Sequence, residues 1–173
     1  MSAARRRDKL RFVRFYTDKE CEEWLSGRNR QKPDSVPQVH RLHFAYPRHH
    51  AKLFWVAHWI ASTLTHRSSA LLWITEWGIW ESTENSHLYY KLRQSFGDQR
   101  LLWEAPGHLF LGFKQEDLTS FLHVAMLNGW GGYLLTQLDY VNLFFSHDEY
   151  IDFFAEDESN LGPVREELIA KER

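Results

Sequence analysis

The run Ala70–Trp80, ALLWITEWGIW, constrains this chain more than any other stretch. It has no helical period, is rich in β-formers, and is apolar on both alternating faces. A strand of that kind has to be covered on both sides, which places it inside a layered domain. The helices that could cover it are visible on either side. From Arg48 to about Thr65, Leu53, Val56, Ala57, Ile60, Ala61 and Leu64 form one continuous apolar stripe behind Pro47. STENSHLYYKLRQSFGD carries a second stripe, Leu88, Leu92 and Phe96, ended by Gly97. QEDLTSFLHVAMLNG carries a third and stops at Asn128-Gly129.

Earlier in the chain, LRFVRFY predicts a strand. TDKECEEWLSG predicts a short helix, because Thr17 and Glu20 have capping-box spacing. Further strands are predicted at Val39–Tyr46, Gly107–Phe113, GGYLLT and VNLFF, and a last helix beginning at SHDE, Ser146–Glu149. Alternation of this kind predicts an α/β (or α+β) fold: one layered domain with a mixed sheet of about five or six strands flanked by about five helices. Its expected bounds are 10–156, after a disordered basic tail at 1–9 and before a charged tail or frayed helix at 157–173.

Of 173 residues, 16% are aromatic, enough to build a core without disulfides. The single cysteine, Cys21, excludes an internal disulfide and a Cys-based zinc site, and suits a reducing compartment. No apolar run reaches membrane-spanning length and the start lacks a secretory h-region. The expected location is therefore cytoplasmic, with no membrane association. Charge is uneven: residues 1–67 hold 14 Lys/Arg against 6 Asp/Glu, and residues 68–173 hold 7 against 17. An acidic half of this kind favours a basic partner.

Several residues stand out chemically. Glu76 sits in the two-sided strand and needs a partner, with Arg93, Arg41 or a histidine as candidates. In SHDE, Ser146 and Glu149 fit a helix capping box, with Phe145 and Tyr150 at the staple positions. His147 is left without a capping role, beside Asp148. Glu76, His108, His147 and Asp148 are thus the catalytic candidates, in acid–base roles. Three turns follow predicted strands: YPRHH, WEST and SHDE. If those strands run parallel and near one another, His49, His50, Trp80, Glu81, His147 and Asp148 share one rim, a candidate binding cleft.

No G-x-G-x-x-G, P-loop or G-x-S-x-G motif occurs, so no cofactor is expected. The ten histidines include no H-x-x-x-H pair with a nearby carboxylate, so no metal is expected either. Cys21 lies among Glu20, Glu22 and Glu23, the wrong electrostatic setting for a thiolate nucleophile. The leading expectation is a small protein-binding domain, inhibitor- or immunity-like or regulatory, by analogy of build. The first alternative is a hydrolase or transferase working at the strand-to-helix rim. The second is a nucleic-acid binder using the basic amino-terminal third, disfavoured by the net charge of −2.

Overall fold

The computed structural model describes residues 12–36, 40–47, 49–65, 68–78, 86–112, 115–136 and 141–172. Seven strands form one sheet: β1 (Val13–Tyr16), β2 (His40–Ala45), β3 (Ala70–Glu76), β4 (Gly107–Phe110), β5 (Gly131–Thr136), β6 (Asn142–Ser146) and β7 (Tyr150–Ala155). Their order across the sheet is β1-β4-β3-β5-β6-β7-β2. Among the described residues there are five α-helices: α1 (Asp18–Ser26), α2 (His50–Thr63), α3 (Ser86–Ser95), α4 (Gln115–Leu127) and α5 (Leu161–Glu172).

The expected mixed sheet is corrected here. Every neighbouring pair is antiparallel, so the fold is α+β with one antiparallel sheet. As the sequence requires, β3 is central and its first five residues are buried. Leu72 and Ile74 enter the large core that α2, α3, α4 and α5 build on one face. Leu71 and Trp73 enter a smaller core on the second face, under Cys21, Trp24 and Leu25 of α1. The capping box at Thr17 is present: its hydroxyl accepts from the Glu20 amide, and Glu20 reaches back to the Thr17 amide at 2.8 Å.

The expected helix at SHDE is also corrected. Ser146 ends β6, Tyr150 begins β7, and residues 147–149 are a three-residue hairpin loop. The amide of Glu149 donates to the Ser146 carbonyl, the Asp148 amide donates to the Ser146 hydroxyl, and Glu149 is left-handed at φ 63°. A tight turn closed by one left-handed residue is a standard three-residue hairpin connection. Phe145 and Tyr150 are therefore strand residues, not a helix staple. The segment 157–173, read from its charge as a tail or frayed helix, contains α5, which docks Leu161, Val164 and Leu168 into the main core.

Strand direction decides what the rim holds. β3 is antiparallel to β5 and β5 to β6; β6 is antiparallel to β7 and β7 to β2. So β2, β3 and β6 point the same way, each separated from the next by one opposed strand, and their carboxyl ends lie on one edge of the sheet.

Candidate functional site

At that edge, two residues singled out in the sequence meet. His147 Nδ1 donates to Glu76 Oε2 at 2.8 Å, and His147 Nε2 lies 3.5 Å from Asp148 Oδ1. The side chains of His147 and Glu76 are 27% and 35% exposed, so the pair is half-sheltered and within reach of solvent. Asp148 is largely exposed.

Three local devices bring the pair together. The register of β3 on β5 slips between Ile74 and Glu76, which makes Thr75 the extra residue of a bulge and re-aims Glu76. Gly131 then lies beneath the carboxylate, where a Cβ would sit 2.2 Å from Glu76 Oε2. The hairpin loop supplies His147, held by the left-handed Glu149. A bulge is a feature over-represented next to active sites, where it re-aims a side chain. The end of β2 is tied to the same loop, as the Tyr46 amide donates to the Glu149 carbonyl at 2.7 Å.

His147 titrates above its ordinary value. The hydrogen bond to Glu76 is the main cause, the charge of Asp148 adds to it, and partial loss of solvent works against it. Because its folded-state pKa is raised, the stabilisation is fully present below the unfolded value of about 6.5 and is lost as pH rises through the folded value. We expect NMR titration to place His147 above the ordinary imidazole value, and Glu76→Gln to bring it down. A wild-type titration at or below about 6.5 contradicts the pairing.

A row of rings crosses the second face beside the pair. Tyr133 on β5 meets Phe144 on β6 with ring centroids 5.1 Å apart; Phe144 lies 6.3 Å from Tyr150 on β7, and Tyr150 lies 4.9 Å from His43 on β2. The loop before β2 covers one end of the row, with Lys32 Nζ 4.3 Å above Trp73 and Asp34 accepting from the Tyr133 hydroxyl. At the other end His43 Nδ1 donates to the buried Asp152 at 2.9 Å, and Arg41 bonds the other oxygen of the same carboxylate. Sequence reasoning missed this second imidazole–carboxylate pair. The legible signal was Asp152 itself, a lone acid in the apolar run YIDFFA.

The remaining candidates fall elsewhere. His108 is fully buried on β4, shares a 3.0 Å hydrogen bond with the Tyr89 hydroxyl, and is pushed down to about 3 by burial and then by Arg93. It is a neutral core imidazole, away from the rim. His49 occupies the N-cap position of α2 and is exposed. Trp80, Glu81 and the side chain of His50 lie outside the described residues.

No group of three metal-binding side chains occurs among the described residues, and no described helix is long and apolar enough to cross a membrane. Several cations of the basic third are engaged within the fold: Arg28 over Trp24, Arg30 on the Thr136 carbonyl, Lys32 over Trp73 and Arg41 on Asp152. A search of protein-family models, of curated proteins and of solved structures gives no match for the chain.

Proposed function

We propose that this is a small cytoplasmic protein-binding domain, of inhibitor-like or regulatory kind, which receives a basic segment of its partner at the rim of the second sheet face. One observation carries the reading. Glu76 and Asp148 flank the single imidazole of His147, so the rim keeps an acidic excess, and the partly exposed rings of Phe144 and Tyr150 lie beside it. An aromatic patch with a charged border is how binding surfaces divide their labour: rings contribute affinity, and border charges steer the encounter. Arg and Lys side chains suit both, pairing with carboxylates and packing over rings.

The test is purification of the tagged protein from its native host. We expect a stoichiometric basic protein to come with it. Tyr150→Ala should weaken that complex by about 2 kcal/mol, roughly thirtyfold. Asp148→Asn should mainly slow association and flatten its salt dependence. A partner retained equally by both variants would place binding elsewhere.

A second reading, acid–base catalysis in a hydrolase or transferase, is favoured by the 2.8 Å contact between Glu76 and His147. A carboxylate on Nδ1 orients an imidazole and leaves Nε2 to exchange a proton with a substrate. That reading requires a turnover whose pH profile moves in Glu76→Gln, whereas the binding reading requires none.

A further inference from the structure

We infer that the paired rings of Trp73 and Tyr133 form a binding site for a methylated lysine side chain of a partner protein, and that Lys32 is the chain's own competitor for it. The site lies on the second face of the sheet, and it does not depend on the imidazole at the rim. Trp73 on β3 and Tyr133 on β5 are directly opposite in register and share one face, so their rings lie side by side. Each is fixed by its polar end. The Trp73 indole donates to Asp18 at 2.8 Å, and the Tyr133 hydroxyl donates to Asp34 at 2.9 Å. Two carboxylates thus hold the rings by their edges and bring negative charge beside them.

The group already seated there shows the chemistry of the occupant. The Lys32 ammonium lies 4.3 Å from the Trp73 ring centroid and 5.7 Å from that of Tyr133, both within the range of attraction between a cation and a ring face. Among the described residues, no hydrogen bond or ion pair reaches this ammonium, and the rings are its partners. Asp18 and Asp34 bond the ring donors instead. A primary ammonium carries three N–H donors and is strongly hydrated, so a seat of this kind leaves those donors to water. A trimethylated ammonium keeps the charge, has no donor to satisfy and sets methyl groups against the rings. Recognition by ring faces alone therefore favours the methylated form. The present occupant is itself a lysine, so a side chain of that length and shape fits the approach.

Lys32 can leave without unfolding its loop. The chain is anchored on both sides of it: Arg30 donates to the Thr136 carbonyl, Pro33 is buried, and Asp34 holds Tyr133. Lys32 itself is half-buried, on a flexible four-carbon stem. Only the side chain has to swing out. While seated, it lowers the affinity of every entrant by the same factor. A cation that the rings hold more tightly than a plain ammonium is the one that displaces it.

The experiment uses the full chain and three small probes: N-acetyl-trimethyllysine amide, N-acetyllysine amide and choline. The reporter is the NMR resonance of the Trp73 indole N–H, which is tied to Asp18. The trimethylated probe should move it saturably and bind about tenfold more tightly than the unmethylated one. Choline should bind less tightly than the trimethylated lysine, because it lacks the lysine stem. Lys32→Ala should tighten the trimethylated probe about threefold or more, with the circular dichroism spectrum unchanged. Lys32→Gln, which keeps a stem without the charge, should do the same. Equal affinity for the two lysine probes overturns the inference, and so does choline binding as tightly as the trimethylated lysine. An affinity that neither Lys32 variant changes overturns it, as does the absence of a saturable shift in both wild type and variants.

Discussion

Asp98→Ala is expected to cost about 3–5 kcal/mol of stability, because it leaves a fully buried guanidinium uncompensated. Arg93 is 0% exposed on the inner side of α3. Its Nη2 donates to Asp98 Oδ1 at 3.2 Å and its guanidinium lies 4.9 Å from the Phe15 ring; Nε and Nη1 have no hydrogen-bond partner among the described residues. Among the described residues, Asp98 is thus the carboxylate paired with that charge. It is shared with Arg100, which bonds both oxygens and also donates to the Phe15 carbonyl. Replacing the cation is a different matter. Arg93→Met removes the charge and its desolvation together, at comparable volume, and should cost far less than losing the acid; in that background Asp98→Ala should lose most of its effect. Urea unfolding of the two single variants and the double variant measures this. Equal costs for Asp98→Ala in both backgrounds would mean that Arg93 does not depend on Asp98. The pH dependence has a definite sign. Burial pushes the Asp98 carboxyl up, and the hydrogen bonds and charge of Arg100, with Arg93, outweigh it and hold it below the ordinary value. A depressed carboxyl contributes stability above its unfolded pKa of about 3.9, and that contribution disappears as pH falls through the folded value.

Much of this architecture follows from local pattern. The two-sided run at Ala70 is the central strand, and the Leu53–Leu64 stripe is a helix. Two short motifs with the same spacing show where pattern fails. Thr17-x-x-Glu20 caps a helix, while Ser146-x-x-Glu149 closes a hairpin. Serine at the first position suits either, since its side chain can serve a helix amide or a turn amide. What separates them comes afterwards. CEEWLS continues with two glutamates and a leucine, good helix formers, whereas YIDFFA is aromatic or β-branched at four of its six residues, and that composition outranks the cap. The shared direction of β2, β3 and β6 enters the sequence reading only as a condition for the rim, and neither it nor their separation by opposed strands is legible locally, because an all-antiparallel order is set by long-range pairing. The Glu76–His147 contact joins residues 71 apart through a bulge and a glycine in a neighbouring strand. Glu76 and His147 could each be flagged alone as a residue lacking a partner. That each is the other's partner could not be read locally.

The two glycines of β5 should separate fold from site. Gly132→Ala is expected to destabilise the protein by roughly 1–3 kcal/mol, the usual range for overpacking, and toward its upper end. A Cβ there would lie 2.3 Å from the Trp73 carbonyl oxygen and 2.8 Å from the Ile74 Cα. Both are backbone atoms of the central strand, so relief requires β3 and β5 to part. Gly131→Ala meets something softer: the nearest atoms, at 2.2 and 3.0 Å, are the carboxylate end of Glu76. That side chain is partly exposed and can swing away. The fold should therefore survive with a smaller loss, while Glu76 leaves His147 and the imidazole titrates lower than in the wild type. Thermal unfolding and NMR titration of both variants distinguish the outcomes. If Gly131→Ala keeps the raised His147 titration, the carboxylate does not need the space above Gly131. If instead it unfolds as readily as Gly132→Ala, this glycine serves the sheet, and the absence of a side chain there says nothing about the site.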